Sequence, residues 1–493
     1  MFGLLIFLFP NFALVAGLRV GATASRAWRA GLSPTMSAVE QEGRLKVMIA
    51  GGGIGGLCTA LVLRNQGHKV HVYEKTSKYR PFGGPIQIAS NALESIKRID
   101  NNVYNDILER STGIGERKNG LKDGISNEWF ATFDLFAPAR RRGQDSSVVI
   151  DRPILQDILL NGIGEACITK GCEVVGYEKH QYHVAGMLSN GTSVEVFHTP
   201  STHQPVPRML PTSTTLPHHA HTHPHRALQC DLLIGSDGIK SKVREALVPN
   251  PTAPVWSGYT CFAAIAKCVP DDIAHVGYKV FLGSRKYFVS VDVGGGRIQW
   301  YAFLNLPPNS LSLPSGEEQI AFLRDEFAGW SPEVHQLLNT TAFDEVEQRD
   351  LFDRAPGFKW VDGRVCLLGD AVHPMMPNLG QGGGMAIEDA LVLGQELRRD
   401  VIKSGGPAVT LALGRYQQNR VLRAAAVQAS RLLIACRSSG SPRPAPPQQR
   451  PRPPPCRCRA CRARQAPSSS STTTPQSSRA CGLQRCPILA RGR

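Results

Sequence analysis

The stretch 46–74 decides most of what this chain can fold into. An apolar run, Lys46 to Ala50 (KVMIA), leads straight into Gly51-Gly52-Gly53-Ile54-Gly55-Gly56. A helical pattern follows through Arg64, and a second apolar run, 69–73, ends at Glu74. Strand, glycine turn, helix, strand and closing acid make a βαβ unit with GxGxxG spacing, which needs a parallel sheet flanked by helices and so predicts an α/β fold. Gly51 suits the tight turn, Gly53 lets the backbone approach a pyrophosphate, and Gly56 lets the helix pack on the strand. The helix start offers free N–H groups and a positive dipole end to phosphates. Glu74 is placed to accept hydrogen bonds from ribose hydroxyls, and its charge would repel a 2′-phosphate, so the unit suits FAD or NAD better than NADP.

Composition removes other classes. The 493 residues, 42% hydrophobic, allow two or three domains. The net charge of +16 would suggest a nucleic-acid partner, but three Arg before residue 40 and twelve after residue 436 carry nearly all of it, with no acid in either tail. The body, 40–436, is close to neutral and lacks a basic footprint, so no nucleic-acid partner is expected. Thirteen Cys, eight of them scattered singly through the body, make no disulfide framework. Cys456, Cys458 and Cys461 lie in Pro/Arg-rich sequence without a fourth ligand, and no metal site is expected.

Three segments read as lying outside the folded body. Residues 1–39 open on an apolar run and continue acid-free with Arg, Ser, Thr and Ala, the pattern of a targeting segment, read as a bipartite plastid address with a simple signal peptide or a mis-assigned start as alternatives. Residues 198–228 carry seven His among Pro and Thr and read as a disordered insert between two strands. Residues 437–493, rich in Pro, Arg and Ser, read as a disordered tail.

Which dinucleotide is bound is decided about 300 residues further on. An apolar strand over 364–368 ends in Gly369-Asp370, and Gly380-Gln381-Gly382-Gly383-Gly384 leads into a helix over 385–397. An acid at a strand end can hydrogen-bond a ribityl chain, and a glycine-rich helix start can face the flavin edge that carries negative charge when reduced. Between the two glycine motifs, a strand over 231–234 leads to Gly235-Ser236-Asp237-Gly238. Either Asp/Gly pair alone would read as an ordinary turn.

In this order the motifs resemble the class A flavoprotein monooxygenases, with the p-hydroxybenzoate hydroxylase-like fold. Within that class GPIQIASNAL (84–93), NGLKDGIS (119–126), SGYTCF (257–262), VGYKVFLGSRKYFVSVDVGGGRIQWYAF (276–303), RDLFDRAPGF (349–358) and GDAVHPMMPNLGQGGGMAIED (369–389) resemble the zeaxanthin epoxidase family of plants and algae. The likeness covers about 45–197 and 229–435. It implies a Rossmann-like FAD-binding domain (about 45–118, 148–197, 229–250 and 350–435) interleaved with a mixed β-sheet substrate domain (mainly 251–349, with part of 119–147). It implies that Gly51, Gly53, Gly56 and Glu74 hold the ADP half of FAD, that Arg152 lies near the pyrophosphate, that Asp237 with Gly238 forms a dual FAD/NADPH motif, and that Gly369, Asp370, Pro377, Gly380, Gly382 and Gly383 form the flavin-side loop. The chemistry implied is reduction of FAD by NADPH, capture of O2 as a flavin hydroperoxide and epoxidation of a carotenoid, zeaxanthin, at a plastid membrane surface. The flavin carries the chemistry, so no catalytic side chain is assigned and His373 is expected to be structural. Another FAD-dependent hydroxylase of aromatic or isoprenoid substrates, or a flavin-binding protein without turnover, are the alternatives; oligomeric state is left open. The aromatic strands 278–281, 287–291 and 299–303 could wall the flavin or simply fill a core.

Overall fold

The computed structural model describes residues 44–79, 84–189, 226–311, 313–402 and 406–438. The expected targeting segment, the insert up to residue 225 and the tail beyond residue 438 lie outside the described residues.

The strand Lys46–Ala50 stands inside a six-stranded sheet in the order Val361–Asp362, Val365–Leu367, Leu232–Gly235, Lys46–Ala50, Lys69–Glu74, Ile168–Lys170. All neighbours are parallel except the first pair. The four central strands are buried on both faces, which is why they read as apolar runs rather than alternating ones. Their registers end level, with Ala50 beside both Tyr73 and Gly235, and Gly235 beside Leu367.

Two glycine-led helices, Ile54–Asn65 and Gly382–Glu396, cross in close contact. Small residues permit this: a Cβ on Gly55 would lie 3.0 Å from the Ala386 Cβ, and one on Gly394 would lie 2.5 Å from Val62 Cγ2. The second helix begins earlier than its apolar period predicts, because the run Gly382 to Gly384 already follows the helical path. The last helix of the described residues runs Gly406–Ser438.

A second, seven-stranded sheet runs Glu347–Asp353, Val255–Ala266, Ile298–Leu304, Lys286–Asp292, Val276–Gly283, Lys118–Asp123, Trp129–Phe133, antiparallel except where Val276–Gly283 meets Lys118–Asp123. Its two faces divide the aromatic residues by strict alternation. Phe262, Phe281, Phe288 and Trp300 point to one side and pack with Phe327 and the helices Gly316–Glu326 and Pro332–Asn339. Tyr259, Tyr287, Tyr301 and Phe303 point to the other, where Met376 joins them. One face is therefore core against the helices, and the other turns its tyrosines toward Met376.

The third sheet corrects one boundary. Val184–Leu188 pairs antiparallel with Arg226–Cys230, Leu188 opposite Arg226, so residues 226–228 are strand rather than insert. The ladder with Val184–Leu188 claims them despite their place at the end of a low-complexity run.

Candidate cofactor-binding site

The first glycine corner is built at the carboxyl edge of the parallel sheet. Gly51 has φ +98°, a left-handed conformation that favours glycine, and a Cβ there would sit 2.4 Å from the Ser236 carbonyl oxygen. Its N–H donates to Tyr73 O at 2.8 Å, while the Ser236 hydroxyl donates to Ala50 O at 2.8 Å and contacts Gly51 O at 3.0 Å. A Cβ on Gly56 would come 2.1 Å from Gly51 O, so helix and turn touch without room for a methyl group. Gly53 is the opposite case: it is exposed, and nothing lies within 4 Å of where its Cβ would be. The chain leaves space there, beside the helix start, for a group to approach the backbone.

Glu74 has a task that the motif alone did not show. Its Oε2 accepts the Gly52 N–H at 2.7 Å, and its Oε1 accepts both the N–H and the hydroxyl of Thr76 at 2.9 Å. The acid at the strand end thus fixes the glycine loop. Tyr79, whose hydroxyl donates to Gly52 O at 3.0 Å, tightens the same loop and was not legible, since no period or motif marks it.

Asp237 follows the neighbouring strand, and its Cα lies 2.9 Å from the position of a Gly51 Cβ. Its Oδ2 accepts the N–H groups of Lys242 and Val243 at 2.7 and 3.2 Å, satisfying the first two donors of the helix Lys242–Leu247, whose N-cap is Ser241. Its Oδ1 is buried without a partner. Burial pushes the Asp237 carboxyl above the usual carboxylate range. Gly238, at φ +80°, completes the turn.

The third corner lies next in the sheet. Gly369, at φ +61°, packs against Ala386, the residue that also faces Gly55, so the two glycine loops are tied through one side chain. Asp370 is exposed, yet the protein packed around it pushes its carboxyl upward, against the pull of His373 and Arg152. Arg152, exposed at the start of the helix Arg152–Ile163, makes no hydrogen bond among the described residues; its charge acts on Asp370 and Tyr301. Pro377 opens the turn Pro377–Leu379, Gly380 follows at φ +58°, and the helix from Gly382 makes its first bond from Met385 N–H to Gln381 O. The N–H groups of Gly382, Gly383 and Gly384 are therefore free of helical partners. His373 is buried, with Nε2 2.5 Å from Asp389 Oδ2.

Gly51, Asp237 and Asp370 thus follow three adjacent parallel strands that end level, with Glu74 closing the fourth, the crevice position that ligands take in open α/β sheets. The tyrosine-bearing face of the large sheet borders this edge: Tyr287 donates to Asn378 Oδ1 at 3.0 Å and Tyr301 to Pro85 O at 3.1 Å. No group of His, Cys, Asp and Glu among the described residues could hold a metal ion.

Comparisons with known proteins agree with this geometry. A family model described as an NAD(P)-binding Rossmann-like domain matches residues 49–84, and one described as an FAD binding domain matches residues 331–430. The chain is 41% identical over 407 residues to the chloroplastic zeaxanthin epoxidase of an Oncidium hybrid cultivar, covering 81% of this chain and 56% of that protein. It is 42% identical over 404 residues to the corresponding protein of Solanum lycopersicum, covering 80% and 55%. The chain thus spans little more than half the length of the curated relatives it matches. Among solved structures, Klebsiella pneumoniae HpxO complexed with FAD and uric acid aligns with a TM-score of 0.66 at 24% identity over 80% of this chain and 89% of that one. A salicylate hydroxylase substrate complex aligns at 0.61 and 20% identity, over 79% and 87%. Over about four fifths of its length the chain is thus similar to chloroplastic zeaxanthin epoxidases, and it has the fold of FAD-dependent monooxygenases of solved structure.

Proposed function

We propose that this protein is a plastid FAD-dependent monooxygenase that epoxidises zeaxanthin to antheraxanthin and violaxanthin, with NADPH as electron donor and O2 as co-substrate. The relatives' names and extent of identity support the substrate, and the apolar face of the large sheet carries the reading on structural grounds. Tyr287 stacks on Phe303 with ring centroids 4.2 Å apart and meets Tyr259 edge-on at 5.5 Å. The hydroxyls of Tyr287 and Tyr301 are engaged with the loops, so this face offers mainly ring surface, which suits an apolar polyene better than a charged aromatic acid.

The residues at the sheet edge fit FAD. The open ground before Gly53 and the helix start would take the pyrophosphate, with Gly51 and Gly56 shaping the turn. Glu74 would receive the ribose hydroxyls on lone pairs left by Gly52 and Thr76, and Arg152 would lie by the phosphates. Asp237 with Gly238 would serve FAD and NADPH, its unpartnered Oδ1 awaiting a donor. Asp370, with Gly369, would hold the ribityl chain, while Pro377 and Gly380 would shape the turn and Gly382 and Gly383 would present free N–H groups to the flavin. FAD, when bound, supplies the two-electron chemistry that activates O2. The protein's own part is to hold the alkene, exclude water with the aromatic face and stabilise negative charge at the helix start. No side chain need take a proton from an alkene, so none is assigned as a base. No helix among the described residues is long and apolar enough to cross a membrane; a lipid-borne substrate calls for docking at a membrane surface.

The test is to purify the protein with FAD, supply zeaxanthin in lipid micelles with NADPH and O2, and follow the products by chromatography and mass. Gain of one and then two oxygen atoms is expected. A preparation that takes up no FAD, or one that binds FAD and oxidises NADPH only with aromatic acids, would overturn the assignment.

A further inference from the structure

The helix Gly406–Ser438 reaches the back of the Gly369–His373 turn through one face. Tyr416 donates its hydroxyl to Leu367 O at 3.0 Å, and Gln428 Nε2 donates to Pro374 O at 3.0 Å. Between them Arg420, 3% exposed, donates from Nε to Asp389 Oδ1 at 2.7 Å and from Nη1 to Glu388 Oε2 at 2.6 Å. This one helix therefore holds the strand before the turn, the carboxylate behind it and the loop after it.

Asp389 is the pivot. It is fully buried, and its Oδ2 both accepts the Gly369 N–H at 3.1 Å and lies 2.5 Å from His373 Nε2. Asp370 lies between those two tethered residues. The His373 ring has no second tether, because its Nδ1 is buried without a partner. Burial works to raise the Asp389 carboxyl, but His373 and Arg420 outweigh it and hold the group down at about 2, so it stays a carboxylate. Nothing in the sequence motif assigns Asp389 or Arg420 a role.

We propose that Asp389 is a positioning residue for the cofactor: anchored by Arg420, it fixes Gly369 and His373 and thereby sets the place of the Asp370 carboxylate that meets the ribityl chain. This rests on the FAD reading above. Removing one member of a buried ion pair also destabilises the fold, so the experiment must separate affinity from stability. Well below the melting temperature nearly every molecule remains folded, and a loss of stability alone leaves affinity unchanged.

The experiment titrates apoprotein with FAD by flavin fluorescence, far below each variant's own melting temperature. Asp389→Asn is expected to raise the FAD Kd by about tenfold or more, ~1.4 kcal/mol. Arg420→Lys, which keeps the charge but cannot bridge both carboxylates, is expected to fold and to weaken FAD by a smaller factor. Tyr416→Phe, which loses a bond from the same helix but leaves Asp389 untouched, should lower the melting temperature with FAD affinity kept within about twofold. If Asp389→Asn does not fold, Arg420→Lys decides alone. Unchanged affinity in Arg420→Lys, or equal weakening in Tyr416→Phe, would overturn the positioning role. Failure of the parent protein to bind FAD would instead remove the cofactor reading itself.

Discussion

Gly51 and Gly53 stand two residues apart, and a side chain should fail at each for a different reason. At Gly51 a methyl group meets the Ser236 carbonyl at 2.4 Å with the backbone at φ +98°, so Gly51→Ala should be poorly folded. At Gly53 a Cβ meets no protein atom within 4 Å, so Gly53→Val should melt within a few degrees of the parent yet lose FAD affinity by about tenfold or more, because it would block the proposed approach of the pyrophosphate. Thermal melting beside a fluorescence titration separates the two. Of these local roles the turn glycines were legible, since steric need maps directly onto residue type. The hold of Glu74 on Gly52 and that of Asp237 on the Lys242 N–H were not, because a motif gives a position and not the lone pairs already in use. His71 gives a pH prediction. It is buried beside Thr169, with Nε2 2.8 Å from Oγ1, and burial lowers its pKa to about 4. Between pH 6.5 and 4 the unfolded chain binds a proton there that the folded chain refuses, so stability falls as pH drops through that window, by an amount on the order of 3 kcal/mol at the lower end. His71→Gln should flatten this part of a melting-temperature profile; an unchanged slope would assign the effect elsewhere.

At the scale of elements, the crossing of Ile54–Asn65 with Gly382–Glu396 joins the two halves of the cofactor cleft. It depends on having little side chain at the contact. Gly394→Leu would drive a branched group into Val62, and overpacking of this kind should cost about 1–3 kcal/mol, read as a lower midpoint in chemical denaturation. A midpoint equal to the parent's would mean that the helices can separate without loss. Both helices were legible from their periods and their leading glycines. The pairing of Arg420 with Asp389 was not: periodicity shows which face of a helix turns inward, but not which buried charge on another helix it will meet.

Across the whole molecule, alternation along the strands of the large sheet gives one face to the helices and the other to the proposed substrate site. Phe288, stacked on Trp300 at 5.4 Å and edge-on to Phe327 at 5.5 Å, faces the helices. Phe288→Ala should cost about 3–5 kcal/mol of stability. Tyr287, its neighbour, faces Met376 and Asn378; Tyr287→Ala should lower zeaxanthin epoxidation while FAD affinity stays within about twofold. Turnover assays and denaturation curves on the same two proteins check this division, and a Tyr287 variant with full turnover would remove that face from the proposed substrate site. The sequence reading placed these strands but left core and wall as alternatives, because period-two alternation names two faces without naming the neighbour of either. The pairing of Leu188 with Arg226 carries one last consequence. Its ladder closes from Val184 opposite Cys230 to Leu188 opposite Arg226 whatever lies between the strands. The paired strand ends make a splice point: replacing 190–225 by a short Asn-Gly link should leave the ladder and FAD binding intact and, by the lower closure entropy of a shorter connection, raise stability by about 2 kcal/mol, read as a higher denaturation midpoint.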